Sequence, residues 1–322
     1  MTADFTALPD LASRALGGSV VHANDDFFAA RENLVTPGPA AHDPALFGPR
    51  GKVYDGWETR RRRDAGSDEA IVRLGVPGTV AGVVVDTAFF TGNYPPEVSV
   101  EAAALDGYPS VDEVRAAEWV TLVPRSPVRG DTANAFAVTD GGRWTHVRLT
   151  IHPDGGVARF RVHGRPTPDP RLLTGTVDLA ALENGGDVVA CSEEYYASAR
   201  NLLMPGRARH TGEGWENARR RGGGNDFVTV RLAAAGVVRR VVVDACCFVG
   251  NAPGWVSLHG LDGRTSALDE AAGWTELLPR TRIQPDTRHQ LPVDSAGPVT
   301  HVRLDVFPDG GLARLRVLGE LA

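Results

Sequence analysis

Apolar and polar residues alternate with a period of two along much of the chain, which predicts strands rather than helices. In THVRLTIH at 145–152, Val147, Leu149 and Ile151 would face one side and the polar residues between them the other. The motif PDGG that follows predicts a tight hairpin into the next strand. Helical patterns are limited to short stretches near 10–16 and 26–34. This pattern is typical of an all-β protein with short strands and Gly/Pro turns.

The chain also repeats itself, with the matching segments in the same order in both halves. The matched pairs are GGSVVHANDDFFAARENL at 17–34 with GGDVVACSEEYYASARNL at 185–202, GWETRRRR at 56–63 with GWENARRR at 214–221, VVVDTAFFTGNYP at 83–95 with VVVDACCFVGNAP at 241–253, WVTLVPR at 119–125 with WTELLPR at 274–280, and THVRLTIHPDGGVARFRVHG at 145–164 with THVRLDVFPDGGLARLRVLG at 300–319. Such ordered self-similarity indicates two copies of one structural unit.

We therefore predict an all-β fold made by tandem duplication of a jelly-roll β-sandwich. The Pro-rich segment 164–175 would join the copies, which gives a first repeat at 1–165 and a second at 166–322. The first copy carries about ten additional residues around 35–54, which we predict to form a loop.

Composition excludes several classes of protein. The chain has 322 residues and a net charge of −6, without the basic surplus that nucleic-acid binding normally needs. It has neither a run of 18 apolar residues nor a signal peptide, so we expect no membrane partner. The cysteines Cys191, Cys246 and Cys247 cannot form a disulfide framework. We therefore expect a cytoplasmic protein.

The recurrence acts as a filter for residues that both copies need. In the GWE block these are Glu58 and Glu216 together with arginines that follow at alternating positions. Because guanidinium groups bind carboxylates through two parallel hydrogen bonds, the block predicts a site for a small anionic ligand. A structural network of arginine and glutamate explains the same residues. The candidate ligand-binding arginines are Arg61, Arg63, Arg219 and Arg221.

The VVVD block ends in an aspartate and is followed by a Gly-Asn turn. Asp86 and Asp244 could move a proton, and Asn93 and Asn251 offer both a donor and an acceptor to an amide or urea group. Ordinary turn and capping chemistry accounts for these residues equally well.

Other signals predict less chemistry. The repeated strand arginines would lie on one sheet face as an ion-pair surface; they are Arg148 with Arg303, Arg159 with Arg314, and Arg161 with Arg316. The motifs H-x-H, H-E-x-x-H and C-x-x-C do not occur, nor do a G-x-S-x-G elbow or a P-loop. The missing elbow and P-loop disfavour a nucleophilic serine or cysteine enzyme. Because metal-ligand spacing is also absent, we predict that the protein uses no metal, and we expect no cofactor.

In tandem, GWETRRRR, VVVDTAFFTGNYPPEVSVEA, GWENARRRGGGNDFVTVRL and the HVRL…PDGG segments resemble the allantoicase family over nearly the whole chain. The resemblance implies two jelly-roll, galactose-binding-like domains and hydrolysis of allantoate to ureidoglycolate and urea. It also implies a homo-oligomer, a trimer or hexamer. One departure is the segment after the arginine block: Asn225, Asp226 and Phe227 fit the family pattern, whereas residues 67–69 do not.

Allantoate suits the candidate residues. Its carboxylate fits an arginine fork, and its two ureido groups fit asparagine and aspartate. Loss of one urea needs a general acid and a base that delivers water, and the candidates are Glu58, Asp86, Glu216 and Asp244. A tandem jelly-roll protein that binds small ligands or carbohydrate without catalysis, or one that acts as a scaffold, remains an alternative. The sequence leaves open which repeat is active.

Overall fold

The computed structural model describes residues 5–293 and 295–322 of the chain. The chain folds into two compact units, Met1–Thr167 and Pro168–Ala322, which hold the first and second repeat. Strands dominate both units. The strands of the first are β1 Ser19–Ala23, β2 Phe47–Gly48, β3 Gly51–Lys52, β4 Trp57–Glu58, β5 Asp68–Asp86, β6 Glu97–Ala103, β7 Val120–Pro127, β8 Ala133–Ala137, β9 Arg143–His152, β10 Gly156–Val157 and β11 Arg159–Pro166.

The second unit has the same organisation. Its strands are β12 Val177–Asp178, β13 Asp187–Cys191, β14 Asp226–Asp244, β15 Trp255–Leu261, β16 Thr275–Arg282, β17 Arg288–Pro292, β18 Val299–Phe307 and β19 Arg314–Leu321. Among the described residues, the α-helical segment is α1 Val111–Arg115. The other helical segments are 3₁₀ helices at Phe5–Ala7, Arg14–Leu16, Arg31–Val35, Pro170–Leu172, Leu182–Asn184, Ala199–Leu203, Thr211–Glu213 and Ala271–Gly273. None of these helices is long and apolar enough to cross a membrane.

One long strand organises each repeat. In the first repeat, residues 70–73 of β5 lie between β1 and β9, whereas residues 82–86 lie between β8 and β11. A register shift lies between the two halves, at Arg73 and Gly78. A Cβ at Gly78 would stand 2.3 Å from the carbonyl oxygen of Arg165, so only glycine allows this close approach. Strand β14 divides in the same way between β13 and β18 on one side and β17 and β19 on the other.

The cores confirm the predicted all-β tandem sandwich. The inward positions of the alternating strands are fully buried, as for Val147, Leu149 and Ile151. Trp57 and Trp215 have no exposed surface, and their indole N–H groups donate to main-chain oxygens at 2.7 and 3.0 Å respectively. These tryptophans anchor the GWE motif of each repeat to its core.

The predicted hairpin at PDGG is wrong. Strands β9 and β11 pair with different halves of β5 and not with each other. Between them, β10 pairs with β4, and the carboxylate of Asp154 accepts the N–H of Arg62 at 2.8 Å. These contacts carry the chain from one half of the sandwich to the other instead of turning it back.

The prediction that the repeated strand arginines share one sheet face is also wrong, because β9 and β11 do not pair with each other. Arg148 on β9 pairs with Glu101 of β6 at 2.6 Å. Arg159 and Arg161 on β11 pair instead with acidic residues of other segments, at 2.6 and 3.3 Å. Period-two spacing fixes the face only within one strand, and β9 and β11 are not neighbours in the sheet.

A buried histidine on β9 makes stability depend on pH. His146 is 2% exposed, and burial, aided by Arg73, lowers its pKa to about 4. The neutral form is therefore favoured in the folded state, so its contribution is present above pH 6.5 and is lost as the pH falls. We predict that about 2 kcal/mol of unfolding free energy is lost through this group between about pH 7 and pH 4.5.

Urea denaturation of wild type and His146→Gln at both pH values measures this contribution. The variant should lose less stability on acidification than the wild type by about that amount. His210→Gln, at an exposed histidine, is the control and should match the wild type. An equal loss in wild type and His146→Gln would refute the assignment.

Candidate functional site

The glutamate of each GWE motif is held by an asparagine. Asn93 donates to Glu58 Oε1 at 2.6 Å, and Asn251 donates to Glu216 Oε1 at 2.5 Å. Burial raises the pKa of Glu58, and the hydrogen bond from Asn93 opposes this only in part. The structure therefore brings together two predicted site residues in each repeat. The partner of the glutamate is this amide, not an arginine.

The three repeated arginines that follow each GWE motif have different roles. The middle arginine is tied down: Arg62 pairs with Asp68 at 2.6 Å, and Arg220 pairs with Asp226. Each of these aspartates is nearly fully buried at the start of the long strand. The flanking candidates are exposed, and within 5–293 and 295–322 their side chains have no ion-pair partner; they are Arg61, Arg63, Arg219 and Arg221.

Asp86 and Asp244 end the long strands and cap the loops that follow. Each accepts, through Oδ1, the N–H of the residue two positions on, Ala88 or Cys246, at 2.9 Å. Asp244 is 3% exposed, whereas Asp86 is half-buried. The capping interpretation is thus correct for Oδ1 of each aspartate.

The second repeat contains a pocket beside Asp244. Its volume is about 410 Å³, and its lining residues are Gly206, Arg207, Val242, Asp244, Arg288, Arg314 and Arg316. Four of these seven are arginines and one is an aspartate. The arginines suit an anionic ligand, and the carboxylate of Asp244 could accept a hydrogen bond from that ligand or exchange a proton with it. The volume lies in the range of small-molecule sites, roughly 300–1,000 Å³.

The strands explain this convergence. In the register of the sheet Arg288 on β17 and Arg314 on β19 both lie directly opposite Asp244 of β14. Two residues further along β19, Arg316 points to the same face. Arg207 lies on the loop beside them, with its guanidinium 3.3 Å from Cys246 Sγ.

The repeated blocks predict Asp244 as a site residue but not the pocket. They place Arg314 and Arg316 on an ion-pair surface, and Arg207 and Arg288 belong to no repeated block. In the first repeat, proline at Pro39 and alanine at Ala133 stand in place of these two arginines. A filter that keeps only residues shared by both copies cannot detect a feature that one copy has alone.

Comparison with known proteins gives a consistent result over the whole chain. The allantoicase repeat family model matches residues 9–167 and again 177–322. A probable allantoicase of Nocardia farcinica is 56% identical over 321 residues, which cover 98% of this chain and 95% of that protein. A probable allantoicase of Streptomyces coelicolor is 50% identical over 336 residues, covering 99% and 88%.

Solved structures agree in fold. The crystal structure of allantoicase from Saccharomyces cerevisiae matches with a TM-score of 0.80 and 33% identity, over 98% of this chain and 96% of that one. A second structure of allantoicase matches with a TM-score of 0.79 and 34% identity, over 96% and 92%. The match therefore extends over both repeats.

Proposed function

Because this chain belongs to the allantoicase repeat family, we propose that it hydrolyses allantoate to ureidoglycolate and urea. The observation that carries the proposal is the arginine pocket beside Asp244. Allantoate carries one carboxylate and two ureido groups on a single carbon, so it needs cationic forks and hydrogen-bonding groups in one small site.

The second repeat supplies groups of this kind. In the described part of the chain Arg314 donates to main-chain oxygens through Nε and Nη1, which leaves Nη2 for the carboxylate of the substrate. Arg316 pairs with Asp178 at 3.5 Å and also donates to main-chain oxygens, so it adds positive charge to the pocket. The exposed arginines Arg219 and Arg221 add positive charge on the same repeat and would attract the anion from solution. Asn251 keeps its side-chain oxygen available for a ureido N–H, since its amide nitrogen is engaged by Glu216.

The reaction exchanges one C–N bond for a C–O bond at the central carbon. The remaining ureido nitrogen donates its electron pair as urea departs, which gives an imine-like intermediate that water then attacks. One proton must reach the departing urea, and another must leave the attacking water. We assign these two transfers to the carboxyl groups of Asp244 and Glu216, since such acid–base catalysis typically contributes about 10²- to 10⁴-fold.

A product assay tests the proposed function. Purified protein incubated with allantoate should release urea and ureidoglycolate in equal amounts, at a rate proportional to protein concentration. Absence of both products would refute the proposal. Assembly as a trimer or hexamer, a cytoplasmic location and the lack of nucleic-acid binding remain predictions that accompany it.

We also predict that the activity survives removal of divalent metal ions. The proposed chemistry uses carboxylates, arginines and an amide, and in the described part of the chain no group of three or more His, Cys, Asp or Glu side chains could hold a metal ion. Dialysis against EDTA followed by the urea assay is the measurement. A loss of activity that one added divalent ion restores would contradict this prediction.

A further inference from the structure

The two repeats share one buried arginine, Arg159 in the first and Arg314 in the second, but differ in what that arginine binds. In the first repeat, Arg159 is 2% exposed, and its Nη2 donates to Asp55 Oδ2 at 2.6 Å. Asp55 also accepts the N–H of Ala41 at 2.9 Å through the same oxygen. Burial alone would raise the pKa of Asp55, but the hydrogen bonds from Arg159 and Ala41 outweigh it and hold the pKa below its ordinary value. This arginine therefore already holds a carboxylate.

The equivalent arginine of the second repeat, Arg314, is bound differently. It is 5% exposed and donates to main-chain oxygens, those of Gly206, Glu213 and Ala313. Within the described ranges no carboxylate lies within 4.0 Å of it. Burial, aided by Arg316, lowers its pKa, and the more distant carboxylates of Glu213 and Asp244 offset this only in part. Arg314 is thus a buried guanidinium that lines an open pocket.

The residue equivalent to Asp55 is present but turned away. Glu213 immediately precedes the second GWE motif, as Asp55 precedes the first. Its carboxylate binds the side chain and the N–H of Arg209, at 2.8 Å for Nε and for the N–H. The self-supplied counter-ion of the first repeat is therefore missing from the second.

The additional loop of the first repeat explains the difference. His42 stacks on Tyr54 with ring centroids 5.2 Å apart, and Tyr54 stacks on Phe90 at 4.8 Å. His42 also packs against Phe89 at 5.3 Å. These contacts hold the loop so that Ala41 and Asp55 cover Arg159. The second repeat lacks two of these anchors, with Gly212 in place of Tyr54 and Cys247 in place of Phe89, and it has no counterpart of the loop.

We propose that each chain has one substrate site, in the second repeat, where Arg314 binds the substrate carboxylate, and that Asp55 permanently occupies the equivalent position of the first repeat. The inference rests on the proposed function for the identity of the ligand. It also gives the ligand's orientation: its carboxylate takes the place beside Arg314 that the Asp55 carboxylate takes beside Arg159. The first repeat then contributes fold stability, not turnover.

Matched arginine variants test the inference. Lysine keeps the charge but loses the planar fork, so Arg314→Lys should raise the KM for allantoate by at least about tenfold. Arg288→Ala, at an exposed pocket arginine, should raise it at least about fivefold and leaves the buried network intact. Arg159→Lys and Asp55→Asn should keep kcat and KM within about twofold and lower the melting temperature by about 3 °C or more.

Each outcome decides the question. If Arg159→Lys raised KM as much as Arg314→Lys while the wild type released urea, the single-site inference would be wrong and the function correct. If the wild type released no urea, the function would be wrong, and a thermal-shift titration with malonate would test the pocket alone. Malonate should then stabilise the wild type and Arg159→Lys but not Arg314→Lys; equal stabilisation of all three overturns the inference.

Discussion

Replacing Asp244 by asparagine should lower the turnover of allantoate by about two orders of magnitude or more. The asparagine side-chain oxygen still accepts the N–H of Cys246, which Asp244 Oδ1 accepts at 2.9 Å, so the loop keeps its cap. The variant loses the ability to take up or release a proton, together with the negative charge that faces Arg207 and Arg314. The melting temperature should therefore change little while kcat falls, as expected when an interaction is needed mainly in the transition state.

Asp86→Asn is the matched control, because Asp86 caps the same loop in the first repeat with the same 2.9 Å hydrogen bond. Since we place turnover in the second repeat alone, this variant should retain kcat within about twofold. Steady-state assays of urea release on both variants make the comparison. Equal losses in the two would show that both repeats catalyse, and unchanged kinetics in both would remove these aspartates from the chemistry.

The second large effect is expected at Glu216. Glu216→Gln keeps an oxygen that accepts from Asn251, as Glu216 does at 2.5 Å, but it cannot exchange a proton. We therefore predict that kcat falls by about two orders of magnitude or more with the fold intact. Glu216 does not line the pocket itself; its link to the site is one contact of a pocket residue, since Arg314 donates to the carbonyl oxygen of Glu213, three residues before Glu216.

Glu58→Gln separates catalysis from packing. Burial raises the pKa of Glu58, so the charged form is disfavoured in the folded protein, and the stability cost of charging it is present at neutral pH. The neutral glutamine should therefore preserve or raise the melting temperature at neutral pH and leave kcat near the wild-type value. A kcat loss in Glu58→Gln as large as that in Glu216→Gln would contradict the assignment of turnover to the second repeat.

The fold was predictable because its signals are local or repeated. Alternation such as Val147, Leu149 and Ile151 records which side of a strand is buried, and the duplicated blocks define two equivalent units. The hairpin at PDGG was not predictable from the turn alone. Its residues also serve a crossing between two halves of a sandwich, and the choice depends on β10 pairing with β4, which is far away in sequence.

The candidate site was predictable only in part. Asp244, Glu216 and Asn251 recur in both copies, so the repeat revealed them. The pocket exists in the second repeat because that repeat lacks the loop. In the first repeat the loop places Asp55 on Arg159 and fills the equivalent position. Such an asymmetry is a tertiary contact between segments about 100 residues apart, and neither spacing nor hydrophobic period encodes it.

A crystal structure of the Asp244→Asn variant soaked with allantoate would test the central claim most directly. We predict one allantoate per chain, in the pocket of the second repeat, with its carboxylate on the guanidinium group of Arg314. The first repeat should hold no ligand, and Asp55 should remain on Arg159. Allantoate bound in the first repeat, or bound in the second repeat away from Arg314, would contradict it.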